Sequence, residues 1–178
     1  ISTASVANIE KTIFNKVDSE DSVLSLDRNS HGELEESTVN GRISIYDGSN
    51  LEEDDSIINC DNTDHSCVNV SNSLLDLSGT SVNCSNINVC INAYGSKIRL
   101  NEVSVTTTSV QYNAINISDV SKASIYDSTI STDGTTSGIN LKVNSILNAN
   151  DSSITTNDGT GMYVNNGGYF RGDNVNFT

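Results

Sequence analysis

Short runs in which apolar and polar residues alternate recur along this chain at a nearly constant interval. In one run a small residue is followed by apolar, polar and apolar positions. This run begins at positions 67, 90, 114 and 138, and a fifth copy at 161 differs at its polar position. The spacings between these starts are therefore 23, 24, 24 and 23. Strict alternation is typical of strands, whereas helical solenoids need apolar residues three or four positions apart. The pattern predicts a repeat that is built from strands.

Each repeat contains two further alternating runs. They are Leu75-x-Leu77, Ile98-x-Leu100, Ala123-x-Ile125 and Leu147-x-Ala149, followed by runs that end on Val82, Val105, Ile130, Ile154 and Phe177. Between them lie Asn101, Asp127 and Asp151, residue types that tolerate left-handed turns. Three strands and three turns in about 24 residues predict an all-β fold, a right-handed single-stranded parallel β-helix in which stacked rungs build one interior core.

The repeat extends upstream in a less regular form. The segment 43–45 precedes 68–70 by about one repeat, the segment 57–60 matches 81–84 at a shift of 24, and 23–26 fits an earlier rung. We expect residues 1–40 to hold an N-terminal cap, as a strand or short helix, and the first irregular rung, because an open solenoid edge needs cover. Residues 41–178 are predicted to form β-helix rungs that are truncated at the C-terminus, with a natural end that pairs with another subunit as the alternative.

One polar column stands out in the repeat. Because alternation turns the flanking apolar residues inward, Asn69, Asn92, Asn116 and Asn140 are predicted to point outward on successive rungs. Strands in a sheet lie about 4.8 Å apart, a spacing at which stacked Asn side chains hydrogen-bond to one another. We interpret the column as a stabilising ladder, with a ligand-binding strip as the alternative.

The four cysteines predict two disulfides. Cys60 and Cys67 are seven positions apart, Cys84 and Cys90 are six apart, and the two pairs are also equivalent in the repeat. Local pairing and pairing between stacked rungs both remain open. The local pairing is favoured because stacked Cβ atoms lie near about 4.8 Å, whereas a disulfide prefers about 3.8 Å. Either pairing indicates an oxidising compartment outside the cytosol.

Composition excludes several classes of partner. The formal net charge is −14, only 35% of residues are hydrophobic, and Lys plus Arg total nine. Nucleic acid and anionic lipid both attract basic surfaces, so we expect neither as a partner. Apolar runs also stay well short of the roughly 18 residues that a membrane span needs, so we expect no insertion of this segment into a membrane.

The chain offers acidic candidates for catalysis or metal binding, but none forms a recognisable motif. The candidates are Asp54 with Asp55, Asp61 with Asp64 and His65, and Asp127 stacked near Asp151. The run from Glu52 to Asp55 is interpreted as a solvated acidic loop tip. The cysteine spacing does not fit zinc, and the sequence contains no calcium repeat, nucleophile elbow or phosphate loop. We therefore predict no enzyme activity, no cofactor and no metal.

Arg171-Gly172-Asp173 is the string that integrins bind. Alignment by rung places Arg171 and Asp173 outward at a strand end, with Asp173 at the start of a turn. Integrin ligands usually present this string on a mobile loop, where the carboxylate joins the receptor's metal. We interpret the string as a chance occurrence, with receptor binding by Arg171, Gly172 and Asp173 as the alternative.

Segments 124–132, 150–161 and 163–168 resemble the rungs of bacterial autotransporter passenger domains. The resemblance covers residues 67–178 well and 40–66 weakly, and it includes closely spaced cysteines in the passenger. It implies export to the cell surface or release, and binding to a host cell-surface receptor or matrix protein. The roles that it implies include adhesion and the pro-angiogenic ligand activity of a Bartonella passenger class. The alternatives are a carbohydrate-binding or carbohydrate-cleaving β-helix, like a tail spike or pectate lyase, and a plain spacer.

Overall fold

The chain folds into a three-walled tube of parallel strands. The computed structural model describes residues 5–15, 22–133, 137–157 and 159–178. About seven turns of about 24 residues stack along the tube, and no helix occurs in these described ranges. The predicted all-β parallel β-helix is thereby confirmed.

One wall, which we call wall A, is an eight-stranded parallel sheet that takes one strand from every turn. In pairing order its strands are β1 (Val6–Glu10), β4 (His31–Glu35), β7 (Asn50–Asp54), β9 (Leu74–Ser78), β11 (Lys97–Asn101), β14 (Lys122–Tyr126), β17 (Ile146–Asn150) and β20 (Tyr169–Asp173).

The second sheet has 13 strands and forms walls B and C, which are joined by two long strands that run through both walls. The long strands are β8 (Ile57–Ser71) and β10 (Ser81–Tyr94). Wall B also contains β2 (Ile13–Asn15), β5 (Thr38–Asn40), β12 (Ser104–Thr108), β15 (Thr129–Asp133), β18 (Ser153–Thr156) and β21 (Asn176–Phe177). Wall C also contains β3 (Ser22–Leu26), β6 (Arg42–Tyr46), β13 (Asn113–Ser118), β16 (Ser137–Leu141) and β19 (Met162–Val164).

The core is a set of aliphatic files that run along the inside of the tube. One file is Val68, Ile91, Ile115 and Ile139, which pair in register and are fully buried. Burying a side chain of this size stabilises a fold by roughly 1.5–3 kcal/mol. No single rung can enclose its own inward face, so this stabilisation arises between neighbouring rungs. The registers of the second and third runs are also as the repeat predicts.

The turn that follows wall A differs by one position from the prediction. Asp127 and Asp151 have the expected positive φ, at 47° and 48°. The prediction for Asn101 was wrong, because Asn101 pairs with Tyr126 as the last residue of its strand, and Glu102 takes the left-handed conformation with φ 55°. The short side chains of Asn and Asp accept this conformation more readily than most, but the longer Glu102 occupies it here.

Paired strands are present from the start of the described chain. β1 already pairs with β4, and β2 with β5, so described residues of the N-terminal region form strands. Residues 1–4 and 16–21 of the predicted cap lie outside the described residues. The rung that begins at His31 is shorter than the others, because its equivalent on the next rung is already Asn50 and Gly41 alone separates β5 from β6. The boundary proposed at residue 40 remains a prediction.

Two Asn ladders run along the outside of the tube. In wall C, the Nδ2 atoms of Asn92, Asn116 and Asn140 each donate to the Oδ1 atom of the preceding Asn, at 2.9, 2.7 and 3.2 Å. The ladder starts at Asn69. A second ladder, which the repeat pattern did not predict, lies in wall B, with bonds of 2.9, 2.9 and 3.0 Å. Its members are Asn15, Asn40, Asn59 and Asn83.

Buried hydroxyl groups satisfy the backbone at the corners of the tube. At one corner the N–H groups of Ser96 and Ser121 donate to the hydroxyls of Ser121 and Ser145 at 2.9 and 3.1 Å. At another, the N–H of Ser128 donates to the Ser152 hydroxyl at 3.2 Å. Buried N–H groups that lack a partner destabilise a fold, so these serines perform a structural task at each turn.

Replacing Asn116 with Ala should lower the free energy of unfolding by about 1–3 kcal/mol, because it leaves the Asn92 acceptor and the Asn140 donor without their ladder bonds. Urea unfolding measures the change. Asn148→Ala, on the outer side of β17 and outside both ladders, is the control. Equal decreases in the free energy of unfolding of the two variants would show that the ladder bonds do not contribute to stability.

Candidate functional site

The outer surface of wall A carries a group of carboxylates from four adjacent strands. Alternation turns one set of side chains into the core and leaves the first, third and fifth residues of each strand outside. We call this surface the acidic face. It consists of Glu10, Glu33, Glu35, Glu52, Asp54 and Asp76. Strand pairing aligns these residues in two columns, so like charges stand on neighbouring strands.

The acidic face lines a shallow groove of about 580 Å³. The groove crosses β1, β4, β7, β9 and β11, a length of roughly 20 Å at the normal strand spacing. Arg99 and Asn101 of β11 close one end of it. Because the groove is built on paired strands, its side chains are held by a rigid wall.

Few cations balance the carboxylates of this surface. The Arg99 Nη1 atom lies 2.8 Å from Asp76 Oδ2, and His31 Nε2 lies 2.9 Å from Glu33 Oε1. Burial raises the pKa of Asp76, the Arg99 charge opposes this effect, and the Glu52 carboxylate adds to it. The face therefore keeps a strong negative potential with its positive charge concentrated at one end.

The interpretation of Glu52 to Asp55 as a loop tip was wrong. Residues 52–54 belong to β7, and only Asp55 lies in the turn, with φ 49°. Glu52 and Asp54 are exposed, whereas Glu53 points into the core and is 2% exposed. Burial alone raises the pKa of Glu53 to about 8. One repeat back from Leu75-x-Leu77 lies Leu51-x-Glu53, so the repeat contained the signal for this position.

The four cysteines form two disulfides at the junction of walls B and C. Cys60 pairs with Cys67 and Cys84 with Cys90, with Cα–Cα distances of 5.7 Å in both. This is the local pairing, and all four cysteines are buried. Each disulfide closes a short outer stretch of β8 or β10, so it ties one wall to the next within a rung.

The other acidic candidates do not form a metal cluster in the described part of the chain. Asp61 accepts hydrogen bonds from Ser85 Oγ at 2.7 Å and from Asn86 Nδ2 at 3.1 Å. Asp127 and Asp151 are turn residues on neighbouring rungs. No group of three His, Cys, Asp or Glu side chains converges as a metal site among the residues searched. Within the same ranges no helix has the length and apolar character to cross a bilayer.

Arg171, Gly172 and Asp173 lie in β20, on the same wall as the acidic face but at its far end. They pair with Asn148, Ala149 and Asn150 of β17. All three residues of the string are exposed. The Asp173 carbonyl accepts the Asp151 N–H at 3.0 Å, so a strand holds the string in place.

Sequence analysis did not identify the acidic face as a unit. The signal was present: Asp76 occupies the centre of its strand, one repeat leads back to Glu52, and the short rung leads from there to Glu33. The short rung breaks the regular interval at this point, so a search with one fixed period does not connect these positions.

Comparison with known proteins adds little to this geometry. No protein-family model and no curated protein sequence matches the chain. Among solved structures, it is similar to trypsin-treated QnrB1, a plasmid-mediated fluoroquinolone resistance protein. The identity is 16%, 92% of each chain is covered, and the TM-score is 0.25. A likeness this weak carries no argument, so the fold assignment rests on the strand pairing described above.

Changing Asp173 to Glu should leave the attachment of the domain to cultured endothelial cells unaltered, because a paired strand is a poor display for an integrin ligand. Attachment in a plate assay, with and without a chelator of divalent cations, measures this. Asp133→Glu, an exposed position in wall B, serves as the matched control. Reduced, chelator-sensitive attachment of the Asp173 variant alone would support integrin binding instead.

Proposed function

We propose that this domain is a secreted or surface-exposed autotransporter passenger that binds a host cell-surface receptor or matrix protein through its acidic face. The observation that supports this most is the groove of about 580 Å³, lined by carboxylates from adjacent strands. The matching partner surface is basic. The passenger assignment and a pro-angiogenic, growth-factor-like role come from the resemblance of the rungs to that family.

The electrostatics favour a macromolecular partner with clustered Lys or Arg residues. A surface with one sign of charge steers oppositely charged partners and raises the association rate, an effect that salt weakens. The formal charge of −14 acts in the same direction at longer range. A groove roughly 20 Å long accommodates an extended basic segment of about six residues.

The rigidity of wall A also suits recognition. The carboxylates of β4, β7 and β9 project from strands that are hydrogen-bonded on both sides, so little conformational entropy is lost when a partner binds. Two disulfides agree with a role outside the cytosol, where such bonds persist.

Neutralising three carboxylates, Glu33→Gln, Glu52→Gln and Asp54→Asn together, should raise the concentration for half-saturation of endothelial cells by about tenfold at low salt. Exposed charge pairs contribute up to about 1 kcal/mol each, and tenfold corresponds to about 1.4 kcal/mol. Titration of cells with fluorescently labelled domain measures this, and salt should reduce the difference between the proteins.

The matched control removes three exposed carboxylates elsewhere, with Asp47→Asn, Asp64→Asn and Asp133→Asn. It changes the net charge equally and should bind within about twofold of the unmodified domain. An equal loss in both variants would make the effect one of net charge, which contradicts a specific acidic face. Absence of saturable binding by the unmodified domain at any concentration would contradict the receptor proposal as a whole.

A further inference from the structure

Glu53 is an ionisable side chain inside the aliphatic core. Its neighbours in the inward file of wall A are Leu34 on β4 and Leu77 on β9. It is 2% exposed, and neither carboxyl oxygen has a hydrogen-bond partner within the described chain. An isolated buried carboxylate is far less stable than one in water, whereas a neutral carboxylic acid is tolerated.

No described charge inside the tube compensates Glu53. The inward residues of β4 and β9 are Gly32, Leu34, Leu75 and Leu77, and those of the facing walls are aliphatic residues such as Val39, Ile43 and Ile58, with the Cys60–Cys67 disulfide. The other titratable groups on β4, β7 and β9 all point outward. They are His31, Glu33, Glu35, Glu52, Asp54 and Asp76. Arg42 on β6 lies on the outward side by alternation, because Ile43 and Ile45 point inward, and burial raises the pKa of Glu53.

The same strand supplies the centre of the acidic face. Glu52 and Asp54 flank Glu53 and point outward, so β7 must stay seated, that is, paired with β4 and β9, for these carboxylates to keep their positions. When Glu53 ionises, the penalty of its burial is relieved only if β7 moves and exposes the side chain to water. Repulsion between Glu52 and its neighbours Glu33 and Asp76 acts in the same direction.

We propose that β7 is a proton-operated element of the acidic face, seated while Glu53 is a neutral acid and loosened when Glu53 ionises. The effect on binding rests on the function proposed above, whereas the effect on β7 does not. The binding face would be most ordered in acidic surroundings and would loosen as the pH rises through neutrality.

The sign follows from the proton balance. The pKa of Glu53 is raised from 4.5 to about 8 in the folded protein, so the folded state holds a proton that the unfolded chain releases. Stability from this group is fully present below about pH 4.5 and is lost progressively up to about pH 8. Within that window the folding equilibrium constant falls by up to about tenfold per pH unit.

The first test compares urea unfolding of the unmodified domain and Glu53→Gln from about pH 5.5 to about pH 8.5, a range that spans the folded-state pKa. The variant leaves every other titratable group unchanged, so the folding equilibrium constant of the unmodified domain divided by that of Glu53→Gln isolates the effect of Glu53. As the pH rises, we expect this ratio to fall by up to about tenfold per pH unit and to level off near pH 8. Glu53→Leu, which matches the flanking leucines, should also remove the dependence. Parallel pH profiles for all three proteins would overturn the proposal.

The second test locates the opening. Amide hydrogen exchange is compared between the unmodified domain and Glu53→Gln at each pH, which cancels the intrinsic pH dependence of exchange. As the pH rises, we expect the amides of β7 to lose protection from exchange in the unmodified domain but not in Glu53→Gln. The amides of the distant β14 serve as the internal reference and should keep their protection in both proteins. Equal loss of protection in β7 and β14 would contradict the proposal that the opening is local to β7.

Neither test uses a binding partner, so both are independent of the receptor proposal. If the pH effect on β7 is found while the variants of the acidic face bind cells normally, the proton-operated element stands and the proposed function fails. If binding depends on the acidic face while the pH profiles stay parallel, the reverse holds.

Discussion

The whole structure depends on the vertical stacking of inward side chains between rungs that lie about 4.8 Å apart. A slip of one residue in any strand would turn its aliphatic side chains outward, so the register of each wall is strongly specified. The large length change falls at the corners, whereas single-residue irregularities occur where β3 pairs with β6 and where β8 pairs with β10. The rung from His31 to Asn50 is shorter than the rung from Val6 to His31, yet the strands on either side keep their register.

Polar groups at the corners allow a chain with 35% hydrophobic residues to form this core. Parallel strands satisfy their backbone between rungs, but every corner interrupts that pairing and leaves N–H groups that need another acceptor. Buried serines such as Ser121 and Ser152 supply it, each from the next rung. The high content of Ser and Asn is thus a structural requirement of the stacked corners and ladders rather than a sign of disorder.

The interior files could be predicted because Ile91, Ile115 and Ile139 follow a constant interval that alternation makes unambiguous. The residue that takes the left-handed conformation in each turn could not be predicted from the repeat, as the error of one position at Asn101 shows. Glu53 illustrates a different limit. Alternation and the repeat both place Glu53 inside, whereas the general preference of carboxylates for water favoured a loop. These two rules oppose each other, and the packing of the whole strand decides in favour of alternation. The wall B ladder was hidden because the short rung changes the interval between Asn40 and Asn59.

Inward and outward positions carry separate tasks in a solenoid, because alternation keeps the two sets of side chains on opposite faces of each wall. Unlike the Asn ladder columns of walls B and C, the outward columns of wall A vary in residue type: they hold carboxylates from β1 to β9 and an ion-paired Arg99 on the next strand. This independence fails only where one strand has charge on both faces. In β7 the outward Glu52 and Asp54 and the inward Glu53 share a backbone, so the free energy of burying one carboxyl group is coupled to the position of two others. A neutral residue at position 53 would make the outer surface independent of the core.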